Sequence, residues 1–167
     1  MGKVREIMDK DTKQMFTRRI THANGTQLIV ILYEMLLVYL EDAQTAYRQG
    51  DSEEFCRNLQ TARGCIGELR ESLNFEYEIS KNLFSIYCFA DRTLAGDIFG
   101  NRAAHTHINA LRGIFTKLHD AFDTVSKTDT SPPLMDNIQD VYAGITYGRT
   151  DINENLANYD AERGFRV

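Results

Sequence analysis

The stretch Leu28-Ile29-Val30-Ile31-Leu32-Tyr33-Glu34-Met35-Leu36-Leu37-Val38-Tyr39-Leu40 decides the fold. Twelve of its 13 residues are apolar, and it stops at Glu41-Asp42. A membrane span needs about 20 such residues, so the run reads as a helix buried on more than one side, with no stable membrane insertion. Its ends are legible too. Asn24 with Gln27 three residues on makes a capping-box pattern, and Gly50 supplies a C′ residue able to turn left-handed. The first long helix is therefore predicted from about Gly25 to Gln49.

Outward from this helix the same logic repeats. Asp51-Ser52-Glu53-Glu54 opens a second helix at once, its acids facing the positive end of the helix dipole. Phe55, Leu59, Ala62, Ile66, Leu69 and Leu73 follow in alternating steps of 4 and 3, an apolar seam on one face. A third helix is predicted from near Ser80 to about Phe99, with Leu83, Tyr87, Ala90, Leu94 and Ile98 as its main row. A fourth follows Gly100-Asn101 and runs to about Val125 along Ile108, Leu111, Phe115, Leu118, Phe122 and Val125. The two prolines of the chain are Pro132 and Pro133, so no proline interrupts any of these helices. Short connections set successive helices antiparallel. The expected fold is all-α: an antiparallel up-down-up-down four-helix bundle over residues 23–125, an N-terminal arm over 1–22 and a partly disordered C-terminal extension over 126–167.

The arm is basic, six Lys/Arg against three acids through Ile20, and reads as a loosely held segment or a short helix. In the extension Leu134, Ile138, Tyr142 and Ile145 keep helical spacing, which predicts a short amphipathic segment docked on the bundle. Beyond Gly148 the polar composition predicts an extended or disordered chain.

With 167 residues and a net charge of −5, the chain is not expected to bind nucleic acid or an anionic membrane surface. Cys56, Cys65 and Cys88 show no Cys-x-x-Cys spacing and read as reduced cytosolic thiols. The first residues are polar and lack the apolar core of a secretory signal. Di-iron bundles need Glu-x-x-His pairs, and none of His22, His105, His107 and His119 has a Glu three residues before it. Surface histidines are the expectation. No phosphate loop, nucleophile elbow or zinc spacing appears, so no enzyme, cofactor or metal is expected. Gly64 and Gly67 lie inside the second helix, where they would admit a close partner backbone or reflect drift alone.

The first and third helices carry an apolar surplus. Val30, Ile31 and Val38 share a stripe with Gln27, Glu34, Glu41 and Arg48 that is expected to face solvent. On the third helix Phe84, Cys88, Ala95 and Phe99 form a second row beside the core row. Such surplus needs a cover, either neighbouring helices with the chain's own arm and tail, or another chain.

The segment Ala23-Asn24-Gly25-Thr26-Gln27-Leu28-Ile29-Val30-Ile31-Leu32-Tyr33-Glu34 resembles the opening helix of the flagellin export chaperone family (FliS). Leu40-Glu41-Asp42-Ala43, the Gly50-Asp51 corner and Glu68-Leu69-Arg70-Glu71-Ser72-Leu73-Asn74 continue the resemblance. Asn82-Leu83 with Ile86-Tyr87, Arg92 with Leu94, and Leu118-His119-Asp120-Ala121-Phe122 complete an ordered series over about residues 20–125. The chain departs from the family pattern in several places. Asn24-Gly25 stands where members have Ser/Thr-Pro, Met35 where Gly is usual and Phe122 where Trp is usual. The N-terminal tyrosine motif is replaced by no clear equivalent beyond Met15-Phe16, and the long tail is additional.

The resemblance implies a cytoplasmic chaperone without cofactor that binds the disordered C-terminal segment of flagellin, prevents premature polymerisation and delivers it to the flagellar export machinery. Partner contacts are expected from Val30, Ile31, Glu34, Met35 and Val38, and from Phe84, Cys88 and Phe99. Tyr33, Tyr87 and Arg92 join them as family-matched positions, with core packing as the competing reading. A structural helical-bundle oligomer, or an adaptor for a different amphipathic partner, is the alternative.

Overall fold

The computed structural model describes residues 10–100 and 104–135, apart from the side chains of Ala104 and His105. Within them the chain is all-α, with five helices and no strand: α1 (Lys10–Thr21), α2 (Gly25–Gln49), α3 (Ser52–Glu71), α4 (Ile79–Ile98) and α5 (Ala104–Ser126). These helices belong to one compact unit that extends to Leu134. Residues 1–9 of the arm, and Ile138, Tyr142 and Ile145 of the extension, lie outside the described residues.

The caps form as the sequence dictates. Asn24 Oδ1 accepts the Gln27 N–H at 2.9 Å, and Gln27 Oε1 accepts the Asn24 N–H at 3.1 Å, a complete capping box. Gly50 turns left-handed at φ 74°, and its N–H reaches the carbonyls of Ala46 and Tyr47. Asp51 then caps α3 by accepting the Glu54 N–H at 3.0 Å. A single left-handed glycine thus reverses the chain without a loop.

Helix α2 packs on both α3 and α5, α3 packs on α4, and α4 meets α5 more thinly. The core takes Ile31, Tyr33, Leu36 and Leu40 from α2, and Leu59, Ala62, Ile66 and Leu69 from α3. Leu83, Tyr87, Ala90 and Leu94 of α4 meet Ile108, Leu111 and Phe115 of α5. At its centre the Tyr33 and Tyr87 hydroxyls hydrogen-bond to one another, both rings fully buried. The Tyr33 ring also meets Phe115 and Phe122 of α5, with centroids 6.2 and 5.6 Å away. The register of α2 against α5 is fixed further out by Gln44, which donates to Asn109 at 2.7 Å and accepts from Arg112 at 3.0 Å.

Of the two readings of the arm, the short helix is the one seen: α1 packs from Lys10 onward, with Phe16 buried in the core and Ile20 against it. Three expectations are corrected. Val125, predicted as the last core position of α5, is exposed, so the core row of that helix ends at Phe122. The histidines are not simply on the surface. His107 pairs with buried Asp97 at 2.8 Å, and His119 lies half-buried between Glu34 and Asp120. The last concerns Leu134, where no helix starts, the remainder of that segment lying outside the described residues. Residues 127–134 instead fold back over the start of α2, where the Leu134 N–H donates to the Ala23 carbonyl at 3.0 Å. Asn24 Nδ2 donates to the carbonyls of Asp129 and Ser131, both at 3.3 Å, and the Thr26 hydroxyl donates to the Asp129 carboxylate.

Asn24 therefore does two jobs with the two ends of one amide. Asn24→Ala removes both and is expected to destabilise the chain by about 1–2 kcal/mol in urea unfolding. Asn24→Asp keeps the cap acceptor, loses the donor to Asp129 and Ser131, and is expected to recover part of that loss.

Burial pushes the Cys65 thiol up to about 11 and raises the Tyr33, Tyr87 and Tyr39 hydroxyls above their ordinary values. Unfolded, these groups ionise near their ordinary values of about 8.5 for Cys and 10 for Tyr. A folded-state pKa raised above the unfolded one gives stability that is complete below the unfolded value and lost as pH rises toward the folded one. The melting temperature is expected to decline from about pH 9 upward, which calorimetry on the alkaline side checks.

Candidate partner-binding site

The residues singled out on α2 and α4 divide into three groups. Tyr33 and Tyr87 form the buried hydroxyl pair and face no solvent. A bare phenol buried without a partner costs free energy, so each of these tyrosines needs the other. Both belong to the core.

The α2 group is covered. Val30 and Ile31 are buried, although their stripe was expected to face solvent. They line a cleft with Arg19 and His22 of α1, Ala23, Gln27, and Asp123 and Ser126 of α5. The cover is thus α1 together with the end of α5. Its polar fastening is Glu34, whose carboxylate takes both terminal nitrogens of Arg19, Nη2 at 3.0 Å, with His119 Nε2 of α5 at 3.6 Å. The Arg19 guanidinium, held by that carboxylate, has its pKa raised further above the usual value. Arg19 also lies 5.8 Å from the Phe16 ring centroid of its own helix. Met35 and Val38 are half-buried and pack against the core.

The α4 group is open. Phe84 is 39% exposed and Phe99 87% exposed, with Cys88 half-buried between them. Arg92 is exposed and its Nε donates to the Cys88 carbonyl of its own helix at 3.2 Å. One apolar residue not singled out from the sequence adds to this surface: Phe89, 52% exposed. Phe89 falls two positions past Tyr87 and so lies off both rows that were read from the helical spacing. The signal that would have found it is its size alone, a phenylalanine at a position the core row does not use.

Arg63 of α3 pairs with Asp91 of α4 at 2.7 Å and Cys56 lies 4.0 Å from the Ile98 carbonyl, so Phe84, Asp91 and Ile98 mark the α3 side of α4. The α5 side carries Asp97, bound to His107. Among the described residues nothing packs closely on Gly64 and Gly67: a Cβ on either would meet no atom within 4 Å. Among the described residues no cluster of His, Cys, Asp and Glu is placed to hold a metal ion, and no helix is long and apolar enough to cross a membrane.

A protein-family model described as flagellar protein FliS matches residues 8–129, from just ahead of α1 to just beyond α5. The chain belongs to the FliS family. The FliS family is one of flagellar export chaperones, not a family of enzymes. The matched span includes α1, so the helix that covers Val30 and Ile31 is part of what makes this chain a FliS protein. No curated protein matches the chain.

The three cysteines of this FliS chain report its surfaces directly. Cys65 is buried with a raised pKa, whereas Cys56 and Cys88 are half-buried. At pH 8 a water-soluble thiol reagent is expected to modify Cys88 and Cys56 well before Cys65, read by mass spectrometry of the intact and digested chain. Early labelling of Cys65 would mean that the α2–α3 packing opens readily.

Proposed function

We propose that this FliS chain is the export chaperone of flagellin. In this reading it binds the disordered C-terminal segment of flagellin in the cytoplasm, keeps it from polymerising early and hands it to the flagellar type III export apparatus. The observation that carries the reading is the apolar surface of α4, where Phe84 and Phe99 stand open outside the core of a chain in this family. A disordered segment that folds on binding gains by laying an amphipathic helix along such a row.

The same reading gives the remaining residues their parts. Phe84, Cys88 and Phe99 take the first apolar contacts, and Arg92 satisfies polar groups of the segment. Val30, Ile31, Met35 and Val38 become available where α1 gives way, and Glu34 then exchanges Arg19 for the partner. Tyr33 and Tyr87 hold the two helices in register from inside.

We infer also that α2 to α5 form an up-down-up-down antiparallel four-helix bundle. Support comes from the order of the contacts. Asn24, Tyr33 and Gln44 along α2 meet Ser131, Phe122 and Asn109 in descending order. Cys56 and Arg63 along α3 meet Ile98 and Asp91 in the same reversed sense.

Calorimetric titration of the full chain with a C-terminal flagellin peptide tests the reading. Tight binding with a negative heat-capacity change is expected, as for burial of apolar surface. Phe84→Asp and Phe99→Asp are each expected to weaken it by about tenfold or more with helicity unchanged, since both side chains are exposed. No heat at micromolar concentrations overturns the flagellin reading. Normal affinity in both variants would move the site off α4.

A further inference from the structure

The connection between α3 and α4 holds a second exposed apolar surface, and it does so on a fixed backbone. Phe75, Tyr77 and Ile79 are 54%, 64% and 63% exposed within five residues. The Phe75 ring is set edge-on against Phe84, with centroids 5.7 Å apart. Asn74 organises the turn: its Oδ1 accepts the Glu76 N–H at 2.9 Å, and its carbonyl accepts the Tyr77 N–H at 3.2 Å and the Ser80 hydroxyl at 2.6 Å. Ser80 is itself buried, and its N–H donates to the Tyr77 carbonyl at 3.1 Å. The turn is therefore ordered before any partner arrives, which lowers the entropy lost on binding. Nothing in its hydrogen bonding calls for large apolar side chains at Phe75, Tyr77 and Ile79.

The rim of this surface is acidic. Glu68, Glu71, Glu76 and Glu78 are exposed against Arg70 and Lys81, and none of these six joins an ion pair among the described residues. Anionic lipid and nucleic acid are repelled by such a rim. The chain's own residues 136–167 are an equally poor match, with six acidic against three basic side chains. Charge complementarity selects a basic occupant.

We propose that this corner is a second docking surface, distinct from the flagellin site and built for a basic amphipathic segment of a protein partner. The segment's apolar side chains cover Phe75, Tyr77 and Ile79, and its Lys or Arg side chains reach the Glu76 and Glu78 carboxylates. Only Phe84 borders both surfaces.

The test uses fluorescence anisotropy of the full chain with two labelled probes, a short amphipathic helix of leucine and lysine and its twin with glutamate for lysine. The lysine probe is expected to bind about tenfold or more tighter than the twin, and less tightly as salt is raised. Phe75→Ser with Tyr77→Ser, and separately Glu76→Lys with Glu78→Lys, are each expected to weaken it by about tenfold. Both altered chains are expected to keep their helicity and their affinity for the flagellin peptide. Equal binding of the two probes, or undiminished binding by both altered chains, overturns the proposal. Loss of flagellin binding together with lysine-probe binding overturns the claim of a distinct surface. Failure of the unaltered chain to bind flagellin counts against the preceding reading alone.

Discussion

The arrangement of this chain hangs on two phenolic hydroxyls that meet in its interior. Tyr33 of α2 and Tyr87 of α4 are fully buried, and each hydroxyl satisfies the other. Two such groups left apart would each cost a few kcal/mol, so α2 and α4 are held at one rotation about their own axes. Once Tyr33 points inward, Glu34 must turn about 100° away from it, and that direction faces α1 and α5. Once Tyr87 points inward, Phe84 one turn earlier falls on the α3 side of its helix, where Phe75 meets it. The exposed surfaces of the molecule are consequences of a contact that no solvent reaches.

That rotation divides the apolar surplus of the two helices unequally. On α2 the surplus is used within the chain: α1 lays Phe16 into the core, and Arg19 closes on Glu34. On α4 nothing among the described residues covers Phe84, Phe89 and Phe99 to the same degree. A FliS chain thus carries one face that is already occupied and one that is open, and the two differ in what a partner must displace to use them.

Much of this was legible in the sequence because it rests on local rules. The capping box at Asn24, the left-handed Gly50 and the 3–4 spacing of Phe55 to Leu69 each specify structure from neighbours alone, and each is seen. Spacing also separated the core row of α4 from its second row. It failed where the deciding contact is distant. Val30 and Ile31 were assigned to a solvent stripe by the charged residues that share it, yet whether a stripe is wet depends on what packs there from elsewhere. In the basic arm a short helix was one of two readings, but its docking was not legible, since the apolar contact that seats it is Phe16 and a single phenylalanine has no period. Leu134 kept helical spacing with later residues, but a backbone bond to Ala23 holds it in a turn. Tyr33 and Tyr87 could be matched by position to a family, although the bond between them, 54 residues apart in sequence, has no local signature.

Asn24 gives the molecule a sense of completion. Its oxygen caps α2 using a residue three positions away, while its amide nitrogen holds carbonyls 105 and 107 residues downstream. The first bond is available as soon as α2 begins to coil; the second closes a loop of most of the chain and carries the entropy of that closure. During synthesis, which runs from the N-terminus, the start of α2 therefore stays half-fastened until Ser131 has emerged. The beginning of the first long helix is thus finished only after α5 has been made, so a chain cut short anywhere before Ser131 carries its own mark of being incomplete.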